Sequence, residues 1–199
     1  MNISNYLRVW LSAIRPKTLG AAVSPILIGT TMAFGEGKGH TLAALAALLG
    51  ALLIQIGTNF SNDYFDYIKG ADTEERLGPV RVTQSGQVRP KTMLWNFVMV
   101  FGLATLVGIY LVFRGGWPIV MIGILSIASG ILYTGGPWPL GYLGLGDLFV
   151  LIFFGPVAVG GTFYVQTLEI TPVVIIAGLG PGLLATALLA VNNLRDEPT

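Results

Sequence analysis

The chain has 199 residues, 53% of them hydrophobic and 11% charged, with 11 basic side chains against 10 acidic ones and a net charge of +1. A soluble domain carries about a quarter charged residues, so this composition excludes an ordinary water-soluble globule, a disordered chain and a nucleic-acid binder acting through bulk charge. The lack of cysteine and the single histidine, His40, exclude disulfides, thiolate chemistry and a histidine-rich metal site; what remains is an integral membrane protein whose chemistry rests on carboxylates, amides, hydroxyls, Lys and Arg.

The N-terminal MNISNYLRVWLSAIRPK is too polar at both ends for a cleaved signal peptide and reads as an interfacial lead-in. Spans follow from charge-free stretches, since a helix needs about 20 mostly apolar residues to cross the hydrocarbon core. Thr18–Gly35, Thr41–Asn62 and Thr92–Phe113 each qualify. The uncharged run from Gly115 to Gly146 is too long for one helix, and its second part, GGPWPLGYLGLG, is rich in turn formers, so that helix ends near Tyr133. Leu148–Leu168 and Ile170–Leu194 complete a set of six. The expected architecture is all-α: one polytopic membrane helical bundle over residues 1–199 with a cytoplasmic loop at 63–91. Pro25, Pro118, Pro156 and Pro181 are tolerated as kinks in such helices.

Orientation follows from Lys and Arg. The N-terminus, the 63–91 loop, the 135–146 loop and the C-terminal end hold nine of the eleven basic residues, and the other side holds only Lys38 and Arg114. These four segments are therefore placed in the cytoplasm, and the protein in the cytoplasmic (inner) membrane with multiple passes.

The 63–91 segment carries ten charged side chains in 29 residues. Asn59, Asp63 and Asp66 are spaced i, i+4, i+7 and share a helix face, as do Asn62 and Asp66. Two carboxylates on adjacent turns repel unless a cation lies between them. Carboxylate and amide oxygens suit a hard divalent ion such as Mg²⁺ shared with substrate phosphates. Asp72, beyond Gly70, is placed to fold back towards the same ion. The last stretch, AVNNLRDEPT, repeats the pattern with Asn192 and Asp196 at i, i+4. Two amide-and-acid helix ends on one membrane face make a site for a metal–diphosphate, with Lys69, Arg81 and Arg15 as further candidates for the phosphate charge. A long isoprenoid diphosphate fits that position, its tail in lipid and its head in water; a phospholipid-type substrate fits it too. Asp147 is explained by its place in the first turn of the fifth span. His40 lies in a short outer loop far from the acids.

These residues resemble a known family. NFSNDYFDYIKGAD is similar to the first Asp-rich motif of the UbiA-type intramembrane prenyltransferases, and NNLRD to the start of their second. RPKTLGAAVSPILIGT, RLGPVRVTQSG and ILYTGGPWPLGYLGLGDLFVLIFFGPVAVGGTFYVQT are similar to the branch that prenylates 1,4-dihydroxy-2-naphthoate in menaquinone synthesis. The resemblance implies nine transmembrane helices around a cavity, of which six are expected here, and a second motif whose last Asp would be residue 200; a chain stopping at Thr199 is expected to be C-terminally incomplete and inactive alone. It implies Mg²⁺ held by Asp63, Asp66, Asp72, Asn192 and Asp196. Asp63, Asp66 and Asp196 are then the catalytic acids, and Asn59, Asn62, Lys69, Arg81, Asn192 and Arg15 bind diphosphate. It implies polyprenyl diphosphate and 1,4-dihydroxy-2-naphthoate as substrates, the bilayer as environment, and no nucleic acid or obligate protein partner. Tyr64, Tyr133 and Tyr142 are candidates to face an allylic cation. Other acceptors (homogentisate, 4-hydroxybenzoate, a chlorophyllide-like ring) remain alternatives. The lack of a basic residue in YTGGPWPLGYLGLGD favours naphthoate over hydroxybenzoate. A cation-coupled transporter is the rival from another class, although its acids would normally lie near the bilayer midplane.

Overall fold

The computed structural model describes residues 3–71 and 81–196, with side chains for 5–71 and 81–195. The described residues are helical or turn, with no strand among them. Helix α1 (Ile3–Ile14) buries Val9 and Ala13 and leaves Tyr6, Leu7 and Leu11 exposed, as an interfacial helix does. Arg15 takes a left-handed conformation (φ 55°), and Pro16 then starts α2 (Pro16–Gly35) at the one helical position that needs no N–H donor.

Helix α3 (Thr41–Lys69) has 29 residues, about 43 Å at 1.5 Å per residue, and so outruns the ~30 Å hydrocarbon core. His40 caps its start by accepting from the Ala43 N–H at 3.2 Å, and Gly70 (φ 63°) closes its end. The sequence reading stops this span at Asn62, where charges begin. The helix itself runs seven residues further, because charged side chains do not break backbone hydrogen bonds. Helix α4 (Pro90–Gly115) packs against α3 through Phe60, Met93, Phe97, Val100 and Phe101. Gly57 makes the approach possible, since a Cβ there would lie 2.8 Å from the Phe101 ring.

A turn through Gly116 (φ 66°) leads into α5 (Trp117–Leu132), which ends where the turn-rich run begins. The fifth span is interrupted: α6 (Gly146–Ile152), a π turn (Phe153–Val157) and α7 (Ala158–Thr167) follow one another, with Gly155 at φ −111°, ψ −112°. Helix α8 (Pro172–Asp196) packs on this break: a Cβ on Gly155 would sit 2.7 Å from the Gly178 carbonyl oxygen, and one on Gly178 the same distance from Pro156. Five segments are long and apolar enough to cross a membrane, and α5 is a shorter apolar helix. The six expected spans are thus all helical. Their outward residues include Leu106, Leu184 and Val191, all largely exposed, as lipid-facing residues are.

Candidate active site

Side chains from five parts of the chain meet at one cavity of about 1270 Å³. Arg15, Lys17 and Thr18 come from the α1–α2 junction; Gln55, Asn59, Asn62 and Asp66 from the last turns of α3; Arg81 from the following segment; Tyr133, Thr134 and Tyr142 from the turns after α5; and Asn192, Asn193 and Arg195 from the end of α8. Deeper in, the walls are Ala, Gly, Ile, Val and Leu side chains with Phe149, Phe153 and Phe154. Asn62 and Asp66 at the end of α3 and Asn192 at the end of α8 therefore open into a shared space.

The mouth is held by hydrogen bonds between elements. Asn59 Nδ2 donates to the Ile14 carbonyl at 2.8 Å and to Thr18 Oγ1 at 3.0 Å, fixing the α1–α2 corner against α3. Gln55 Nε2 donates to the same Thr18 oxygen at 3.3 Å. Thr134 Oγ1 donates to Asn62 Oδ1 at 3.0 Å. Asp66 accepts from Arg81 Nη2 at 2.5 Å and from the Tyr142 hydroxyl at 3.2 Å, and both charged side chains are 7% exposed. Arg195 Nη1 donates to Asn192 Oδ1 at 3.1 Å. The Tyr133 ring lies against Gly141 and Gly146, where a Cβ would come within 3.2–3.3 Å of it. Burial, then the negative Asp147 and Asp66, push its phenol up to about 12, so it stays protonated and can donate.

Two sequence-predicted ligands are placed elsewhere. Asp63 does not line the cavity: it is 2% exposed, and its carboxylate accepts from the backbone N–H groups of Val82 and Thr83, each at 3.2 Å. Spacing put it on the right helix face, but the buried donors twenty residues on capture it. Lys69 Nζ donates to the carbonyls of Thr134 at 2.6 Å and Gly136 at 3.0 Å and sits 5.3 Å from the Tyr142 ring centroid. It straps the turn after α5 to the end of α3. Asp72 and the side chain of Asp196 lie outside the described residues. Sequence reasoning missed Gln55 and Thr18, although a lone Gln one turn before Asn59 in an apolar span is itself a signal.

Among the described residues no three His, Cys, Asp or Glu side chains cluster. The donors that do face the cavity (Asp66, Asn62, Asn192) are all oxygens, with no nitrogen or sulfur ligand among the lining residues. That set fits a hard ion such as Mg²⁺, which takes one or two carboxylates and completes its shell with water and phosphate.

Comparison with known proteins agrees with this picture. The profile of the family described as "UbiA prenyltransferase family" matches residues 22–198. The chain is 40% identical to a 1,4-dihydroxy-2-naphthoate octaprenyltransferase of Haemophilus influenzae, over 98% of this chain and 66% of that protein. It is 41% identical to the enzyme of the same description from Escherichia coli, over 95% and 63% respectively, and 40% identical to that from Mycobacterium tuberculosis, over 96% and 65%. The chain thus spans a little under two-thirds of the length of these relatives.

Proposed function

This chain belongs to the UbiA prenyltransferase family, and on that premise we propose that it carries the head-group site and part of the tail channel of an enzyme transferring a polyprenyl group from its diphosphate to 1,4-dihydroxy-2-naphthoate. One observation carries the reading: a single cavity joins a mouth of Arg, Lys, Asn and Asp side chains to an apolar interior. A polyprenyl diphosphate has that same polarity, anionic at one end and hydrocarbon beyond. The naphthoate relatives support the acceptor, as does the cavity wall at Tyr133, Thr134, Gly141 and Tyr142, which adds no basic side chain.

Arg15, Lys17, Arg81 and Arg195 bind the diphosphate, the arginines through paired donors. Asp66 orients Arg81, and the Tyr142 hydroxyl holds Asp66 in turn. Asp66, Asn62 and Asn192 would hold Mg²⁺, with Asp72 and Asp196 as sequence-level additions. When bound, the ion supplies Lewis-acid neutralisation of the leaving diphosphate. The allylic C–O bond breaks with its electron pair on the diphosphate. The ring carbon bearing the carboxyl group forms the new C–C bond, and carbon dioxide leaves, returning its electron pair to the ring. The product of this step is the hydroquinone, demethylmenaquinol. Residues of the chain act by position: the cations neutralise charge in a water-poor pocket, where they are worth more than in solvent, and the aromatic and aliphatic walls exclude water from the allylic carbon. The cytoplasmic side is assigned to the mouth on the Lys and Arg bias.

The test uses the full-length protein in membranes with dihydroxynaphthoate, a polyprenyl diphosphate, and Mg²⁺ against EDTA. Prenylated product that requires the metal, with about 10²-fold or greater loss in Asp66→Asn and Asn192→Ala, is the expected result. Turnover in EDTA, or wild-type rates in both variants, overturns the site.

A further inference from the structure

Four helices each present a glycine to the cavity at one depth: Gly50 on α3, Gly108 on α4, Gly123 on α5 and Gly161 on α7. Their level follows from their neighbours. A Cβ on Gly50 would lie 3.9 Å from Val107, the residue before Gly108, and one on Gly161 would lie 3.1 Å from Ile122, the residue before Gly123; Gly108 and Gly123 in turn lie eight and seven residues from Gly116, the turn joining α4 to α5, about 12 and 10 Å along their helices. Asn62 at the mouth and Gly50 are twelve residues apart on one helix, about 18 Å at 1.5 Å per residue.

These glycines differ from the packing glycines of the same bundle. A Cβ on Gly29 would lie 2.5 Å from the Val159 carbonyl oxygen, and one on Gly178 would lie 2.7 Å from the backbone of Pro156, so there the missing side chain lets helices touch. A Cβ on Gly108 or Gly123 would meet nothing within 4 Å. Helix contact does not require glycine at those two positions. What glycine keeps there is open bore, on walls that also carry Ile109, Leu111, Val120 and Ile124 from the same two helices.

We propose that this ring of glycines is a gauge: it sets which isoprenoid chains pass beyond the third or fourth unit, and so sets preference for tail length. The proposal rests on the prenyl-diphosphate reading above. An isoprene unit adds four carbon–carbon bonds of about 1.5 Å, roughly 4–5 Å when extended. A two-unit chain therefore ends above the ring and an eight-unit chain threads it. A larger side chain at Gly108 or Gly123 narrows the passage without striking protein.

The experiment compares geranyl diphosphate (two units) with octaprenyl diphosphate (eight units) in the full-length protein, with dihydroxynaphthoate and Mg²⁺. Variants are Gly108→Leu and Gly123→Leu, a milder Gly108→Ala, and Gly102→Leu as control, whose Cβ is also unobstructed but which does not line the cavity. In the two leucine variants kcat/KM for the octaprenyl donor should fall about tenfold or more, the scale on which an apolar pocket discriminates added methylenes. Geranyl transfer should stay within about twofold of wild type, alanine should fall between, and the control should not change. Retained geranyl transfer also certifies that the variants fold. An unchanged octaprenyl-to-geranyl preference, or equal loss of both in both leucine variants, overturns the gauge while leaving the prenyltransferase reading in place. A wild-type protein that transfers neither chain overturns both.

Discussion

Asp63 offers a decision between two roles. Its carboxylate is the acceptor for two backbone donors, Val82 N–H and Thr83 N–H, each at 3.2 Å, and those residues are 1% and 2% exposed. Water cannot replace the lost acceptor there. Stranding a buried donor costs about 1–3 kcal/mol, so Asp63→Ala, which strands two, should cost about 2–6 kcal/mol. Asp63→Asn keeps one oxygen but turns an amide N–H₂ towards the second donor, for about 1–3 kcal/mol. At roughly 2–4 °C per kcal/mol for a chain of this size, the melting temperature in detergent should drop about 2–12 °C for Asn and further for Ala. Activity should fall as well, because the same two hydrogen bonds hold the turn that delivers Arg81 to Asp66. The Mg²⁺ concentration for half-maximal activity should not move. An Asn variant that melts like wild type, has lost activity and needs more Mg²⁺ would refute this reasoning and return Asp63 to the metal.

The Asp66–Arg81 pair gives a complementary expectation. Arg81→Met removes the guanidinium from a carboxylate that is 7% exposed, and should destabilise by about 3–5 kcal/mol. The double variant Asp66→Leu/Arg81→Met should recover most of that stability in thermal unfolding while remaining inactive; an inactive double variant as unstable as the single one contradicts a paired-charge origin. Tyr133 should be visible by absorbance titration. Its raised phenol, at about 12 against the usual 10.0, means that the fold favours the neutral form. That preference is fully present below pH 10 and is lost as pH rises through about 12. One late-ionising tyrosine that disappears in Tyr133→Phe is the expected result.

Much of the bundle is legible in the sequence because lipid imposes a simple rule. Charge-free runs mark spans, and each of the six predicted spans is helical. The rule fails where helix and hydrocarbon part company, as at the end of α3, which continues to Lys69 through the charged Asp63 and Asp66. It also says nothing about the break at Gly155–Pro156. Pro25 and Pro181 lie inside unbroken helices, so a proline alone does not predict a kink. What decides is the partner: Gly178 and Gly182 of α8 let the backbone at Gly155 press in, a contact between residues more than twenty positions apart.

The same distinction governs the site. Periodicity correctly groups Asn59, Asp63 and Asp66 on one face, but a helix face has width, and the neighbours in space assign each side chain its task. Asn59 ties down the α1–α2 corner, Asp63 the segment before α4, Lys69 the turn after α5, and only Asp66 reaches both the cavity and a cation. Loss of activity therefore has two separable sources along this motif. At Asn59, Asp63 and Lys69 it should track loss of stability, because these polar groups hold backbone atoms of other elements. At Asn192, which lines the cavity and accepts from Arg195 one turn along its own helix, activity should fall with the melting temperature nearly unchanged. The polar end of α3 is thus scaffold and cavity wall at once, and the amides and acid that line the mouth are fastened from behind by their own neighbours in the motif.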